Sequence, residues 1–396
     1  MNLLINADAR QIPLADRSVH CIVTSPPYFG LRDYGVPGQI GLEPTPDDFV
    51  QAMVAVGRQL WRVLRDDGTW WLNLGDSYAT TPNGRSAVDT KLIGKDDRTF
   101  RDLPMNTMKA SGLKSKNLLG IPWMVAFALR NDGWILRQDI IWHKPNPMPE
   151  SVKDRCTKAH EYIFLLTKSA RYYYDNEAVK EDSTQHPTDW ENGEPKRPSK
   201  VRGDFGGKNT DPGKEAFRTI TPTRNRRSVW TVTTKPYPGS HYATFPPDLI
   251  EPCILAGTSE KGVCPKCGAP WERVVEKGLT AHDGKTETGY QEGMTANRLA
   301  LLRQAARERG GEYSNQSTTI GWQPTCDCGI EETVPATVLD PFAGSGTTLM
   351  VARKHGRNGI GLDLSFDYLN TNARERLVYG GFVPVADGVN QLTIDM

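Results

Sequence analysis

Short apolar runs alternate along this chain with stretches of helical periodicity. "NLLIN" (2–6), "VHCIVTS" (19–25), "GTWWLNLGD" (68–76), "ILRQDIIWHK" (135–144) and "HEYIFLLTKS" (160–169) read as buried strands. "PDDFVQAMVAVGRQLWRVL" (46–64) spaces its apolar residues three and four apart. Acids in its first turn suit the positive end of a helix dipole. "IPWMVAFALRNDGW" (121–134) predicts a helix that stops at Asp132-Gly133, and "FPPDLIEPCILAG" (245–257) predicts another. "ATVLDPFAGSGTTLMVARKHGRNGIGLDLS" (336–365) reads strand, glycine-rich turn, helix, strand, and a last helix is expected over 366–379. Strands alternating with helices predict a mostly parallel sheet with helices on both faces.

Elsewhere the pattern lapses. Residues 77–116 are polar and turn-rich, with Arg98, Arg101, Lys109, Lys114 and Lys116, and read as a long mobile loop. Periodicity is also lost from about 175 to 240. Within 258–335 only "TANRLALLRQAARERGG" (295–311) shows an amphipathic pattern. A length of 396 residues exceeds one ordinary core, so one main domain with insertions is expected. No apolar run approaches the ~20 residues of a membrane span, and the N-terminus lacks the pattern of a secretory signal.

The net charge of +1 gives no global reason to bind nucleic acid. A local reason exists. Between 196 and 227 lie Lys196, Arg197, Lys200, Arg202, Lys208, Lys214, Arg218, Arg224, Arg226 and Arg227, opposed only by Asp204, Asp211 and Glu215. Such a block suits phosphate neutralisation, and the plain alternative is a solvated, disordered insert. Four of the seven cysteines form two tight pairs, Cys264-x-x-Cys267 and Cys326-x-Cys328. Four thiolates suit a structural tetrahedral zinc and leave no open position for catalysis; the alternative is four free thiols. This usage points to a reducing cytoplasm. Cys21, Cys156 and Cys253 read as core residues, and His143 and His160 as structural or DNA-contacting.

Two motifs carry chemistry. In "VLDPFAGSGTTLMVA", Asp340 ends a strand, Gly344 and Gly346 allow a tight turn, and a helix offers free amides behind them. A second acid, Asp363, ends the next strand about 20 residues on, the usual place for a ribose-binding carboxylate. The plain alternative is a glycine-rich turn with a surface acid. "TSPPY" (24–28) also follows a strand, and its prolines make a rigid turn.

"DPFAGSGTT" resembles the S-adenosylmethionine loop of the amino-methylating DNA methyltransferases, and "TSPPY" resembles their catalytic loop. The catalytic loop comes first, as in the circularly permuted beta group of that family. The resemblance implies a class I S-adenosylmethionine-dependent methyltransferase, an α/β Rossmann-like fold with a seven-stranded, circularly permuted sheet. The chain would begin with the third strand of the usual sheet and complete it with the second. The implied cofactor residues are Asp8, Asp340, Phe342, Ala343, Gly344, Ser345, Gly346, Thr347, Thr348 and Asp363. Asp8 would lie near Asp363 and touch the adenine, unless it is merely a solvated acid.

The implied catalytic residues are Thr24, Ser25, Pro26, Pro27 and Tyr28. A base amine is a poor nucleophile, because its lone pair is delocalised into the ring. Ser25 Oγ and the Pro26 carbonyl would accept its hydrogens, and Tyr28 would stack a flipped base. Ser25, where beta-group adenine enzymes usually carry Asp, favours N4 of cytosine over N6 of adenine. The other reading is a non-catalytic, zinc-containing DNA-binding protein on this fold.

The expected organisation is a catalytic half over 1–175, a target-recognition region over 176–240, and a cofactor half over 241–257 and 336–380. A zinc-binding insertion fills 258–335, and a tail follows over 381–396. The expected partner is double-stranded DNA, without a membrane, in a bacterial or phage setting with a restriction system. The resemblance also allows a homodimer, for which the residues give no sign of their own.

Overall fold

In the computed structural model the helix expected over 46–64 is α1, Pro46–Val63. The Thr45 hydroxyl accepts the Asp48 amide at 3.1 Å, and Pro46 occupies the first turn, where no intrahelical donor is lost. Phe49, Met53, Val56, Leu60 and Val63 form its buried stripe. The structure describes residues 2–80, 106–182, 190–191, 194–195, 223–234, 245–281, 286–287, 313–378, 383–384 and 391–394. Two compact units emerge. One comprises Met1–Asp175, Arg227–Trp271 and Thr325–Met396, the other Asn176–Arg226 and Glu272–Pro324.

The first unit is built on one sheet. Its strands are β1 (Asn2–Asn6), β2 (Val19–Thr24), β3 (Leu64–Leu74), β4 (Ile135–His143), β5 (His160–Thr167), β6 (Val229–Thr231), β7 (Thr337–Asp340), β8 (Asn358–Asp363), β9 (Val383–Pro384) and β10 (Gln391–Ile394). Across the sheet they run β6-β4-β5-β3-β2-β7-β8-β1-β10-β9. The seven contiguous strands from β4 to β1 are the expected sheet, extended by short strands at both edges. β1 lies parallel to β8, pairing Asn2 with Gly359 through Asn6 with Asp363, so the first and last central strands are neighbours, as the permuted order requires. β5 alone among the seven runs antiparallel to its neighbours β3 and β4. The C-terminal ends of β2, β3, β4, β7, β8 and β1 therefore share one edge with the N-terminal end of β5.

Helices cover the sheet: α2 (Thr107–Ser111), α3 (Ile121–Asn131), α4 (Pro247–Gly257), α5 (Thr347–Lys354) and α6 (Arg374–Val378), the last preceded by a π-helical turn at Tyr368–Ala373. The main core joins α1, α3 and β3, where Trp134 meets Trp70 at 4.9 Å and Trp61 at 5.1 Å between ring centroids. Burying each such side chain contributes roughly 1.5–3 kcal/mol or more. The expected loop over 77–116 contains α2, and Ala79 and Asn117 pair backbone to backbone at 2.8 Å; residues 81–105 lie outside the described set. Among the described residues no helix is long and apolar enough to cross a membrane.

The second unit takes one segment from each long insertion. Trp271–Ala281, Tyr313–Pro324 and Thr286–Glu287 form a three-stranded sheet, and Glu181–Asp182 pairs with Thr223–Arg224. Ser317 ties the segments together: its hydroxyl accepts from Lys180 Nζ at 2.7 Å and donates to Glu177 at 2.6 Å. Where the sequence groups 258–335 as one insertion, contacts place 272–324 in this unit and leave all four paired cysteines in the first. The helix expected over 295–311 lies outside the described residues.

Gly361 in β8 is a position where only hydrogen fits. A Cβ there would stand 2.8 Å from Ala343 Cβ and 2.9 Å from a Leu349 methyl. Gly361→Ala is expected to lower stability by about 1–3 kcal/mol, read from urea midpoints. An unchanged midpoint would show that the turn before α5 yields freely.

Candidate active site

β2 and β7 are parallel neighbours, with Cys21 beside Val338 and Ile22 beside Leu339. The two motif loops therefore leave the sheet side by side. Asp340 joins them. Thr24 Oγ1 donates to its Oδ1 at 2.8 Å, Thr348 Oγ1 to its Oδ2 at 2.6 Å, and the Phe342 amide to Oδ1 at 3.1 Å. All three side chains in this bridge, Asp340, Thr24 and Thr348, are buried. Burial pushes the Asp340 carboxyl up to about 6 even though Thr348, Thr24 and the Phe342 amide oppose the shift.

Beyond Asp340 the chain turns at Gly346, whose φ of 73° favours glycine, and enters α5. Asp363, at the end of β8, accepts the Gly344 amide at 2.9 Å and the Ser365 amide at 2.9 Å. Burial raises its pKa, against the pull of the amides of Ser365, Gly344 and Leu364. Arg376 braces the turn from α6, donating to Ser345 Oγ at 2.9 Å and Thr347 Oγ1 at 2.6 Å.

These elements wall a cleft of about 130 Å³. Asp8, Ser25, Pro27, Asp340, Phe342, Ala343, Gly344, Ser345, Thr347 and Asp363, all singled out from the sequence, line it. Thr24, Pro26, Tyr28, Gly346 and Thr348 are not among its lining residues. Asp8 is not a free solvated acid: Arg10 grips it at 2.6 Å and also donates to the Gly38 carbonyl at 2.8 Å. Burial raises the Asp8 pKa, but hydrogen bonds from Arg10 more than offset this and leave it below its ordinary value.

Tyr34, Gln39, Phe245 and Tyr368 also line the cleft, and sequence reasoning missed them. Tyr34 and Tyr368 meet edge to face at 6.1 Å. Their only sequence signal was an aromatic ring within a glycine- and proline-rich loop or near a strand end.

Behind Ser25 lies a polar cluster. Ser25 Oγ donates to Tyr28 Oη at 3.3 Å, and Tyr28 Oη reaches Glu161 Oε2 at 2.8 Å and Asn73 Oδ1 at 3.2 Å. Lys144 pairs with the other Glu161 oxygen. The Tyr28 ring lies so close to Gly75 that a Cβ there would stand 2.6 Å from its Cε2. His143 bonds Thr231 at 3.1 Å and His160 bonds Tyr162 at 3.4 Å, so both histidines have local partners.

Away from the cleft, Cys264, Cys267, Cys326 and Cys328 converge, with all four sulfurs within 4.8 Å of one another. Cys21 and Cys253 are buried, and Cys156 is exposed, which departs from its reading as a core residue: it sits in the loop between β4 and β5. Of the basic block, Lys196, Arg197, Lys200, Arg202 and Arg218 lie outside the described residues, as do Lys208 and Lys214. Arg224 pairs with Glu181 at 2.9 Å, and Arg226 and Arg227 follow it in the described chain.

Asp340 generates a pH test. Its ordinary value is 3.8 and its folded value about 6, so the folded state binds the proton more tightly. Its contribution favours folding at low pH and is lost as pH rises from about 4 to about 6. The stability of the native protein relative to Asp340→Asn should fall over that window by on the order of 3 kcal/mol. Urea unfolding of both proteins at pH 4 and 7 measures this, and parallel pH dependence would refute it.

The sequence profile of the DNA methylase family matches residues 19–264 and 333–374, more than half of the chain. The type II methyltransferase M.Cfr9I of Citrobacter freundii is 48% identical over 245 residues, 62% of this chain and 68% of that protein. The type II methyltransferase M.SmaI of Serratia marcescens is 45% identical over 262 residues, 65% of this chain and 76% of that protein. Among solved structures, PvuII DNA methyltransferase (cytosine-N4-specific) superposes with a TM-score of 0.48 at 13% identity, covering 94% of this chain and 85% of that one. Bearing this profile on a permuted methyltransferase sheet, the chain belongs to the DNA methylase family, S-adenosylmethionine-dependent enzymes that methylate an exocyclic amine of a base in DNA.

Proposed function

We propose that this enzyme methylates N4 of cytosine in double-stranded DNA as the modification enzyme of a type II system. The observation that carries the choice of base is a serine, Ser25, on the cleft wall beside the turn that ends at Asp340. A serine hydroxyl and the Pro26 carbonyl accept the two amine hydrogens and favour the tetrahedral nitrogen of the transition state. Tyr28 supplies the surface on which the flipped base stacks.

The cleft fits S-adenosylmethionine. Its carboxylates, Asp363 and Asp8, suit ribose hydroxyls and an adenine amine, its rings Tyr34, Phe342 and Tyr368 suit a flat base, and the turn at Gly344–Gly346 lets backbone approach a ligand. When bound, the cofactor supplies an electrophilic methyl group on a sulfonium. The chain's own residues hold the two reactants in one orientation, and no covalent nucleophile is needed. The basic block over 196–227 supplies phosphate contacts that carry no base information.

Mass spectrometry of nucleosides from DNA methylated by this protein is expected to show N4-methylcytosine, and N6-methyladenine would overturn the choice of base. Ser25→Ala is expected to cut turnover about 100-fold while leaving the cofactor Kd unchanged by calorimetry. Native turnover in that variant would remove Ser25 from the chemistry.

The four convergent cysteines favour a structural zinc. Thiolates around a tetrahedral zinc stand about 3.8 Å apart, and the present spread needs only small closure to reach that. Elemental analysis is expected to find one zinc per chain, with Cys267→Ser losing metal and thermal stability together. A metal-free native protein with unaltered stability in that variant would exclude the site.

A further inference from the structure

The cluster behind Ser25 has a direction. Glu161, at the start of β5, pairs with Lys144 through one oxygen, and both side chains are largely buried. Its other oxygen faces Tyr28 Oη at 2.8 Å. A carboxylate held by an ammonium accepts hydrogen bonds and donates none. Tyr28 carries a single hydroxyl hydrogen, and its two inner neighbours, Glu161 Oε2 and Asn73 Oδ1 at 3.2 Å, are both acceptors. Asn73 is oriented by its own amide, which donates to the Tyr162 carbonyl at 3.0 Å and reaches Glu161 at 3.4 Å. The phenol hydrogen therefore points inward, and towards Ser25 the phenol oxygen can only accept. Burial, then the Glu161 charge, raise the Tyr28 pKa, so the hydrogen stays in place.

We infer that Glu161 is a positioning residue: acting through Tyr28, it draws the Ser25 hydrogen away from the cleft, so that Ser25 presents lone pairs to the target amine. This rests on the reading of Ser25 as an amine acceptor. A free hydroxyl rotates and spends part of its time aiming its hydrogen at the amine, which is itself a donor. A hydroxyl whose hydrogen is already committed needs no reorganisation when the amine arrives. The chain Ser25–Tyr28–Glu161–Lys144 spans the catalytic loop, the end of β4 and the start of β5, so the antiparallel strand sets the polarity of a group on β2's loop.

The test is a double-mutant cycle on single-turnover methyl transfer to duplex DNA. Glutamine at 161 can turn its NH2 towards the phenol and reverse the chain. Glu161→Gln is expected to slow transfer about 10- to 100-fold, with Kd values for cofactor and DNA unchanged. In a Ser25→Ala background the same change should cost less than about twofold. Tyr28→Phe, which leaves the Glu161–Lys144 pair intact, should show the same dependence on Ser25. An equal loss in both backgrounds would assign Glu161 and Tyr28 a general structural role and overturn the inference, with Ser25 still an acceptor. A native rate in Glu161→Gln would overturn it too. A native rate in Ser25→Ala would instead remove the reading on which it rests.

Discussion

The architecture of the site depends on one buried carboxylate. Asp340 accepts hydrogen bonds from Thr24, the last residue of β2, and from Thr348, in the first turn of α5. A buried carboxyl is costly unless its acceptors are filled. Moving either donor would empty one of them, so the proline turn after β2 and the glycine turn after β7 are locked to one another across the β2–β7 pair.

Around this lock the edge of the sheet collects groups from distant parts of the chain. Parallel strands deliver Asp340, Asp363 and the Ser25–Tyr28 turn by their C-terminal ends. β5 runs the other way, so its first residues arrive at the same edge, and Glu161 comes to lie behind Tyr28. Arg376 closes the other side by holding Ser345 and Thr347. The cysteine cluster belongs to this unit as well: His20, at the start of β2, meets the Gly268 carbonyl at 3.1 Å, and Arg65 on β3 donates to the Cys267 carbonyl at 2.7 Å. The knuckle is thus fastened to the base of the sheet, at the end opposite the Ser25–Tyr28 turn.

Much of this was legible in the sequence. Periodicity alone marks α1, the central strands and the strand–turn–helix around Asp340, since alternation and three-to-four spacing are local properties. Motif order announced the permuted sheet, because two loops of known chemistry bound the framework in a fixed sequence. The roles within a motif were less legible. Thr24 and Ser25 are adjacent and chemically alike, yet one hydroxyl turns inward to Asp340 and the other lines the cleft. Only the pleat of β2 and its neighbour β7 separate them. Tyr28 read as a bare aromatic face, whereas its hydroxyl is tied into a buried polar cluster.

The sequence by itself determined the class of chemistry, the elements and their order, because these follow from short-range patterns and from motifs whose residues are neighbours in the chain. Tertiary structure decided which groups act together. Glu161 with Tyr28, Asp340 with Thr24 and Cys264 with Cys326 are pairs whose members stand far apart in sequence. No local propensity encodes such meetings. They arise when the sheet closes, because burying the apolar faces of its strands leaves one register and one edge on which the polar ends can find their partners.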